Sequence, residues 1–272
     1  MVDVVVLNKA DEARRILREL DTVVVAFSGG VDSTLLLRLA QDSLGERCVA
    51  VTAVSASLSD RERRDAVDLA ARIGARHLEI DSHELERPDY AANGPARCYH
   101  CKSELFDICF QTARNLGFSS VVYGATRDDL GEYRPGMNAA KERGVRAPLL
   151  EAGLGKAEIR ALSRLFDLPT ADKPALACLA SRIPFGTPVS EDRLRQIELA
   201  ENALHDLGFR EVRVRYHGDV ARIEVGAGEW DRLLDAELRR HLALRVRDAG
   251  FRFVALDMEP FRSGRLVEVQ DP

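Results

Sequence analysis

The chain has 272 residues, 46% hydrophobic and 31% charged, enough apolar material for one large or two modest domains and too much for a disordered chain. Its 39 basic and 44 acidic residues leave a net charge of −5, which argues against a generally basic nucleic-acid-binding surface. No run approaches the roughly 20 apolar residues that span a bilayer, Met1-Val2-Asp3 does not open a secretory signal, and five cysteines, an odd number, argue against a disulfide framework. A cytoplasmic protein with reduced thiols is expected, with neither nucleic acid nor membrane as a partner.

In chain order, Thr22–Phe27 reads as a buried strand and Asp32–Leu44 as a helix with Leu35, Leu36, Leu39 and Ala40 inward. Cys48–Val54 is the next strand. Ser59–Gly74 is a helix with a serine cap and a closing glycine. His77–Ile80, a helix over Lys102–Gly117, a strand over Ser120–Tyr123 and a helix over Lys156–Phe166 continue the alternation. Strands alternating with helices predict a parallel sheet covered on both faces. From Leu168 to Pro188 the period is lost among five prolines and glycines, which marks a functional or linking loop. Glu191–Leu207 is an amphipathic helix, Glu211–Tyr216 and Val220–Val225 form a hairpin, Glu229–Ala249 is a helix and Phe251–Leu256 a last strand. The expected fold class is therefore α/β, followed by a smaller C-terminal α+β domain. The boundaries fall at 1–168 for the nucleotide domain, 169–189 for the loop and 190–272 for the C-terminal domain.

The most informative segment joins the first strand to the first of these helices: Ala26-Phe27-Ser28-Gly29-Gly30-Val31-Asp32-Ser33-Thr34. Two glycines permit close backbone approach and positive φ. The helix N-terminus, with the hydroxyls of Ser28, Ser33 and Thr34 and the carboxylate of Asp32, can hold a phosphate chain. The loop has neither the Gly-Lys-Ser/Thr ending of a Walker loop nor the GxGxxG fingerprint. With no lysine in it, nothing is placed to neutralise a migrating γ-phosphoryl, so holding the β and γ phosphates as a leaving group fits better. Attack then falls on the α-phosphorus of ATP, releasing pyrophosphate and leaving an adenylated substrate. The motif resembles the PP-loop of the ATP pyrophosphatases, which include NAD synthetase, argininosuccinate synthetase and the tRNA thiolases. That resemblance implies Mg-ATP and a nucleophile that displaces AMP.

The cysteines bear on the nucleophile. Arg97-Cys98-Tyr99-His100-Cys101-Lys102 places two thiols three residues apart at a helix start, on one side and beside a dipole and cations that favour thiolate. Cys178 lies in the irregular loop, while Cys48 and Cys109 fall in core-like patterns. Cys98, Cys101 and Cys178 would make three ligands, which on a four-iron cluster leaves one iron open for an extra sulfide; a zinc site would call on His100 as a fourth.

Cys178–Pro188 (CLASRIPFGTP), the strand pair Val212–His217 with Ala221–Glu224, and Phe261-Arg262-Ser263-Gly264-Arg265 look like the LarE family, ATP-dependent sulfur transferases that help build the nickel-pincer nucleotide cofactor. The resemblance runs from about residue 8 to about 266. It implies adenylation of a carboxylate on a pyridinium dicarboxylate mononucleotide, attack by sulfur and release of AMP. It implies two possible modes: Cys178 gives up its own sulfur and becomes dehydroalanine, or Cys98, Cys101 and Cys178 hold a [4Fe–4S] cluster that relays sulfide from a donor. The extra cysteines favour the cluster. It further implies a homo-oligomer, such as a hexamer, and Cys178 and Asp32 as catalytic residues. Nucleotide contacts are expected from Ala26, Ser28, Gly29, Gly30, Asp32, Ser33, Thr34, Gly124 and Arg182.

Other groups fill out the site. Gly124, at the end of the fourth strand, suits close approach of AMP, and Asp128 or Asp129 beyond it can help hold Mg²⁺. Arg134 is a further phosphate candidate. Ser181 and Arg182 follow Cys178 closely. Arg213 and Arg215 share a strand face, where two like charges require an anion or carboxylate between them. With Ser181 and Arg182 they form a candidate pocket for the substrate's 5′-phosphate, and Glu201 is a candidate partner for the arginines. The rival functions are an amidating PP-loop enzyme, a tRNA thiolase, and a non-catalytic nucleotide or metal sensor.

Overall fold

A computed structural model describes residues 2–130, 135–174 and 177–262. Helix α1 (Val4–Leu20) was not foreseen, although Asp3 caps it and Ala10, Ala13 and Leu17 form its buried stripe. Then come β1 (Val23–Ala26), α2 (Val31–Leu44), β2 (Cys48–Val54), α3 (Asp60–Ile73), β3 (Arg76–Asp81), short α4 (Pro88–Ala91), α5 (Arg97–Leu116), β4 (Ser120–Tyr123), α6 (Pro135–Glu142), α7 (Pro148–Glu151) and α8 (Lys156–Leu165). The cap of α3 is as read: Ser59 Oγ accepts from Glu62 N, and Gly74 closes the helix in the left-handed region.

The four strands form a parallel sheet in the order β3-β2-β1-β4. Alternation along each strand sends side chains to opposite faces. Val23, Val25, Cys48 and Ala50 pack under residues of α1, α2, α3 and α8. Val24, Ala26, Val49, Val51 and Val121 pack under Phe106, Cys109 and Ala113 of α5 and Ala139 and Ala140 of α6. The expected α/β architecture is observed. Chain order reverses direction between β1 and β4, and ligands of open α/β sheets bind outside the carboxyl ends of the strands at such a point.

The chain divides into two compact units, Met1–Tyr90 with Ala96–Leu176, and Ala91–Pro95 with Ala177–Pro272. In the second, α9 (Glu191–Asp206) precedes β5 (Val212–His217), β6 (Val220–Val225), α10 (Ala236–Asp248) and β7 (Phe253–Leu256). β5 pairs antiparallel with β6, and β6 parallel with β7. The helix expected over Glu229–Ala249 is broken. A 3-10 stretch, Ala227–Leu234, ends at Asp235, whose extended backbone and side chain cap α10 through Leu238 N at 2.7 Å. Buried Asn93 ties its short segment to this unit by donating to the carbonyls of Pro184 and Thr187, both at 2.8 Å. Among the described residues no helix is long and apolar enough to cross a membrane.

Candidate active site

The glycine loop sits at the carboxyl end of β1, whose four residues are all buried. Its approach is fixed from behind. Thr52 Oγ1 donates to Phe27 O at 2.8 Å and lies 2.8 Å from His77 Nε2; since the hydroxyl proton goes to the carbonyl, His77 donates from Nε2. Burial holds the His77 pKa below its ordinary value. Gly29 has φ +67° and a Cβ there would lie 3.3 Å from Ala66 Cβ, so glycine is required. Gly30 does not share this: it is the N-cap of α2 with φ −80°, so the positive φ expected at both glycines occurs at one. Ser33 Oγ lies 3.1 Å from Ser28 Oγ and donates to Gly30 O at 3.2 Å. Thr34 Oγ1 and Asp32 Oδ1 are buried without a hydrogen-bond partner. Buried polar atoms are ordinarily satisfied. Orphaned oxygens at a helix N-terminus, one a hydroxyl donor and one a carboxylate, fit a polyphosphate and its Mg²⁺.

Around this cradle the tertiary fold gathers groups far apart in sequence. Gly124, the residue after β4, approaches α2 itself: a Cβ would lie 2.8 Å from Ser33 N and 3.0 Å from the Asp32 carbonyl carbon. Its lack of a side chain is thus required by the loop's own backbone. Lys156, first residue of α8, ion-pairs with Asp32 Oδ2 at 2.5 Å, and its backbone N–H donates to Asp128 Oδ2 at 2.6 Å. Asp32 and Asp128 are therefore bridged by one lysine. Burial raises the Asp32 pKa despite the ammonium beside it. Asp129 instead accepts from the Thr126 N–H and hydroxyl, capping its own turn. Lys173 ion-pairs with Asp65 at 2.9 Å and reaches Gly29 O at 3.5 Å. The expectation that no cation attends the loop is corrected: two lysines do, from the segment returning through α8.

Cys98 and Cys101 lie in the first turns of α5, which begins at Arg97. Cys98 is exposed and Cys101 partly so, whereas Cys48 and Cys109 are buried and burial pushes both of those thiols up to about 12. The two at the helix start thus have the donor chemistry and access of soft-metal ligands, and the other two are core residues. Among the described residues no three His, Cys, Asp or Glu side chains gather as a metal site. Arg134 lies outside the described residues, as do Ala175 and Leu176 ahead of Cys178 and positions 263–265 of the C-terminal motif.

In the second unit, Cys178 caps a 3-10 turn, Leu179–Arg182. Arg182, 4% exposed, donates Nη1 to Cys178 O at 3.0 Å and also to Ala177 O and Ser181 Oγ. Its other edge forms a bidentate pair with Glu201 at 2.8 and 2.9 Å. Glu201 also accepts from Val214 N at 2.9 Å. Burial would raise the Glu201 pKa, but Arg182 and these hydrogen bonds bring it below its ordinary value. Glu201 therefore partners Arg182 directly. Arg215 pairs with Glu224 and donates to Ser181 O at 3.2 Å. Arg213 and Arg215 share one face, as period two requires, under the Phe261 ring at 4.6 and 6.0 Å.

A family model described as NAD synthase matches residues 14–94, the stretch that holds the glycine loop. A pyridinium-3,5-bisthiocarboxylic acid mononucleotide synthase of Lactiplantibacillus plantarum is 38% identical over 92% of this chain and 90% of its own length. The chain belongs to the LarE family. An uncharacterized Synechocystis sp. protein is 42% identical over 96% of this chain and 98% of its own. A tRNA-specific 2-thiouridylase of Azorhizobium caulinodans is 31% identical over 56% of this chain and 48% of its own. The LarE family is one of ATP-using PP-loop enzymes, which accounts for the glycine loop.

Sequence reasoning missed three residues in this LarE-family chain. Lys156 had a signal: a cation in the first turn of a helix opposes the dipole and needs another reason to be there. Lys173 stands next to Pro174 in an irregular stretch and carries no such signal. Glu224 alternates with buried Ile223 and Val225 and reads as a solvent-face residue, yet it is 1% exposed.

Proposed function

We propose that this chain is an ATP-dependent sulfur transferase acting on a pyridinium dicarboxylate mononucleotide. The observation that carries this reading is its likeness, over nearly the whole chain, to a pyridinium-3,5-bisthiocarboxylic acid mononucleotide synthase. The glycine-loop geometry supports it. Ser28, Gly29, Gly30, Ser33 and Thr34 bind the β and γ phosphates of ATP, with Ala26 and Gly124 as further nucleotide contacts. Asp32, through its orphaned Oδ1, and Asp128 hold Mg²⁺, and Lys156 balances their charge. A substrate carboxylate oxygen attacks the α-phosphorus, the bond to the β-phosphate oxygen breaks and pyrophosphate leaves. Sulfur then attacks the acyl carbon and AMP departs, leaving a thiocarboxylate. Ser181, Arg213 and Arg215 receive the substrate's 5′-phosphate, while Arg182, committed to Glu201 and to the carbonyls of its own turn, holds that turn in place. In support, Arg213, Arg215 and Arg222 share one sheet face, a concentration of positive charge suited to an anion.

Cys98, Cys101 and Cys178 are the residues that would hold a [4Fe–4S] cluster, which when bound supplies a sulfide. In the alternative, the Cys178 thiolate attacks the acyl carbon and displaces AMP, and loss of the Cα proton with cleavage of the Cβ–S bond leaves the thiocarboxylate and dehydroalanine. Either way Cys178→Ala abolishes thiocarboxylate formation while ATP binding persists; full activity in that variant overturns the sulfur role. Anaerobically purified protein should absorb as an iron–sulfur protein, and Cys98→Ala should remove the band. Intact mass after turnover separates the modes: loss of one hydrogen sulfide marks Cys178 as consumed, and an unchanged mass marks relay.

A further inference from the structure

We propose that Glu224 is a positioning residue for Cys178, acting through Arg215; this rests on the sulfur-transfer reading above. The strand register states the problem. In the antiparallel β5–β6 pair, Arg215 lies directly opposite Arg222 and Arg213 opposite Glu224. Cross-strand partners share a face about 5 Å apart, and like charges there repel. Arg215 is buried, which strengthens the repulsion on it.

Glu224 resolves it. One carboxylate oxygen, Oε2, accepts from both Nε and Nη2 of Arg215 at 3.0 and 2.9 Å. The other, Oε1, faces the Arg222 guanidinium at 3.2 Å as an ion pair without hydrogen-bond geometry. Arg222 in turn pairs with Asp257, just past β7, at 2.5 Å. Charges thus alternate from Asp257 through Arg222 and Glu224 to Arg215. The last donor in the row, Arg215 Nη1, reaches Ser181 O at 3.2 Å. That carbonyl belongs to the same short turn that Cys178 opens, and Ser181 N donates back to Cys178 O at 2.9 Å. Arg182 holds the turn from within; Arg215 holds it from the sheet and can do so only while Glu224 sets its guanidinium. His217 lies on the same face, and its pKa is lowered by desolvation and by Arg222 and Arg215.

The test measures thiol reactivity rather than turnover. Full-length protein without ATP is treated with iodoacetamide, and the alkylation rates of Cys178 and Cys98 are followed by peptide mass spectrometry. Glu224→Gln should speed alkylation of Cys178 about fivefold, the fold-change of one ordinary hydrogen bond, and leave Cys98 unchanged. A buried-core variant of the same unit, Leu204→Ala, serves as the control for general loosening and should leave the ratio of the two rates as in the parent protein. No change in that ratio for Glu224→Gln, or an equal change in Leu204→Ala, overturns the proposal. Asp257→Asn strips the outer carboxylate and should shift the ratio in the same direction by a smaller factor; it decides the matter if the Glu224 variant does not fold. Failure of the sulfur-transfer reading shows separately, as parent protein that forms no thiocarboxylate.

Discussion

Glu201→Gln tests whether the cysteine turn is built on a desolvated ion pair. Side-chain exposures of 4% for Arg182 and 8% for Glu201 put the pair out of solvent. At an effective dielectric near 20, unit charges 4 Å apart attract by about 4 kcal/mol. Glutamine keeps the volume but turns an amide N–H₂ toward a guanidinium that needs an acceptor. It also leaves that guanidinium buried with no countercharge on this side, a loss of about 3–5 kcal/mol. For a chain of this size that lowers the melting midpoint by about 10 °C. The assay is selective, because the single tryptophan, Trp230, lies in the second unit with its indole N–H on Asp257 O. Urea and thermal unfolding followed by its fluorescence therefore read the unit that holds the pair. The pH dependence has a definite sign. The folded Glu201 pKa is depressed, so its stabilisation is present above the unfolded value of about 4.3 and is lost as pH falls through the folded one. The gap between parent and variant should narrow in acid. Replacing both partners, as Arg182→Met with Glu201→Leu, should recover most of the stability while losing the donor to Cys178 O. A loss under about 1 kcal/mol in the single variant, or a gap that does not close in acid, refutes the desolvated pair.

Other outcomes follow from the first unit. Gly124→Ala places a Cβ 2.8 Å from Ser33 N. The start of α2 must shift, with a stability loss of about 1–3 kcal/mol and weaker ATP binding by calorimetry. Lys156→Met removes the charged partner of Asp32, a contact worth about 1.5–3 kcal/mol, and should weaken Mg-ATP binding by at least about tenfold. Because burial raises the Asp32 pKa, its ionisation costs stability that is lost as pH rises from the unfolded value of about 3.9 through the folded one; the Lys156→Met defect in melting temperature should therefore shrink on acidification. In native protein at neutral pH, a thiol reagent should label Cys98 and spare Cys48 and Cys109, whose thiols burial pushes up to about 12. Labelling of the latter two should appear only on unfolding.

What could be read directly from the residues is what depends on neighbours in sequence. The apolar run ending at Ala26, the glycines after it and the serine cap of α3 each impose local backbone geometry, so the parallel sheet and its loop were legible. Two spacings were legible for the same reason: Cys98 and Cys101 one helical turn apart, and Arg213 and Arg215 two residues apart on a strand. Even local reading failed where competing signals were close together. Asp235 interrupts an otherwise helical period with a cap, and the stripe of α1 is faint in the sequence because alanines carry half of it.

Partnership was not legible, because Coulomb and hydrogen-bond energies depend on distance in space. Nothing near Asp32 announces Lys156, 124 positions away. Nothing near Gly29 announces Lys173, which arrives only because the chain returns past α3. Glu201 reads as a partner for arginines from its place on the helix, but the choice of Arg182 follows from the turn that Cys178 caps. The sequence alone settles that a phosphate-binding loop follows a buried strand and that cysteines of two kinds exist. Folding decides which carboxylate keeps an unfilled oxygen, which arginine is neutralised and which thiols meet water, since burial and charge pairing exist only once distant segments have packed.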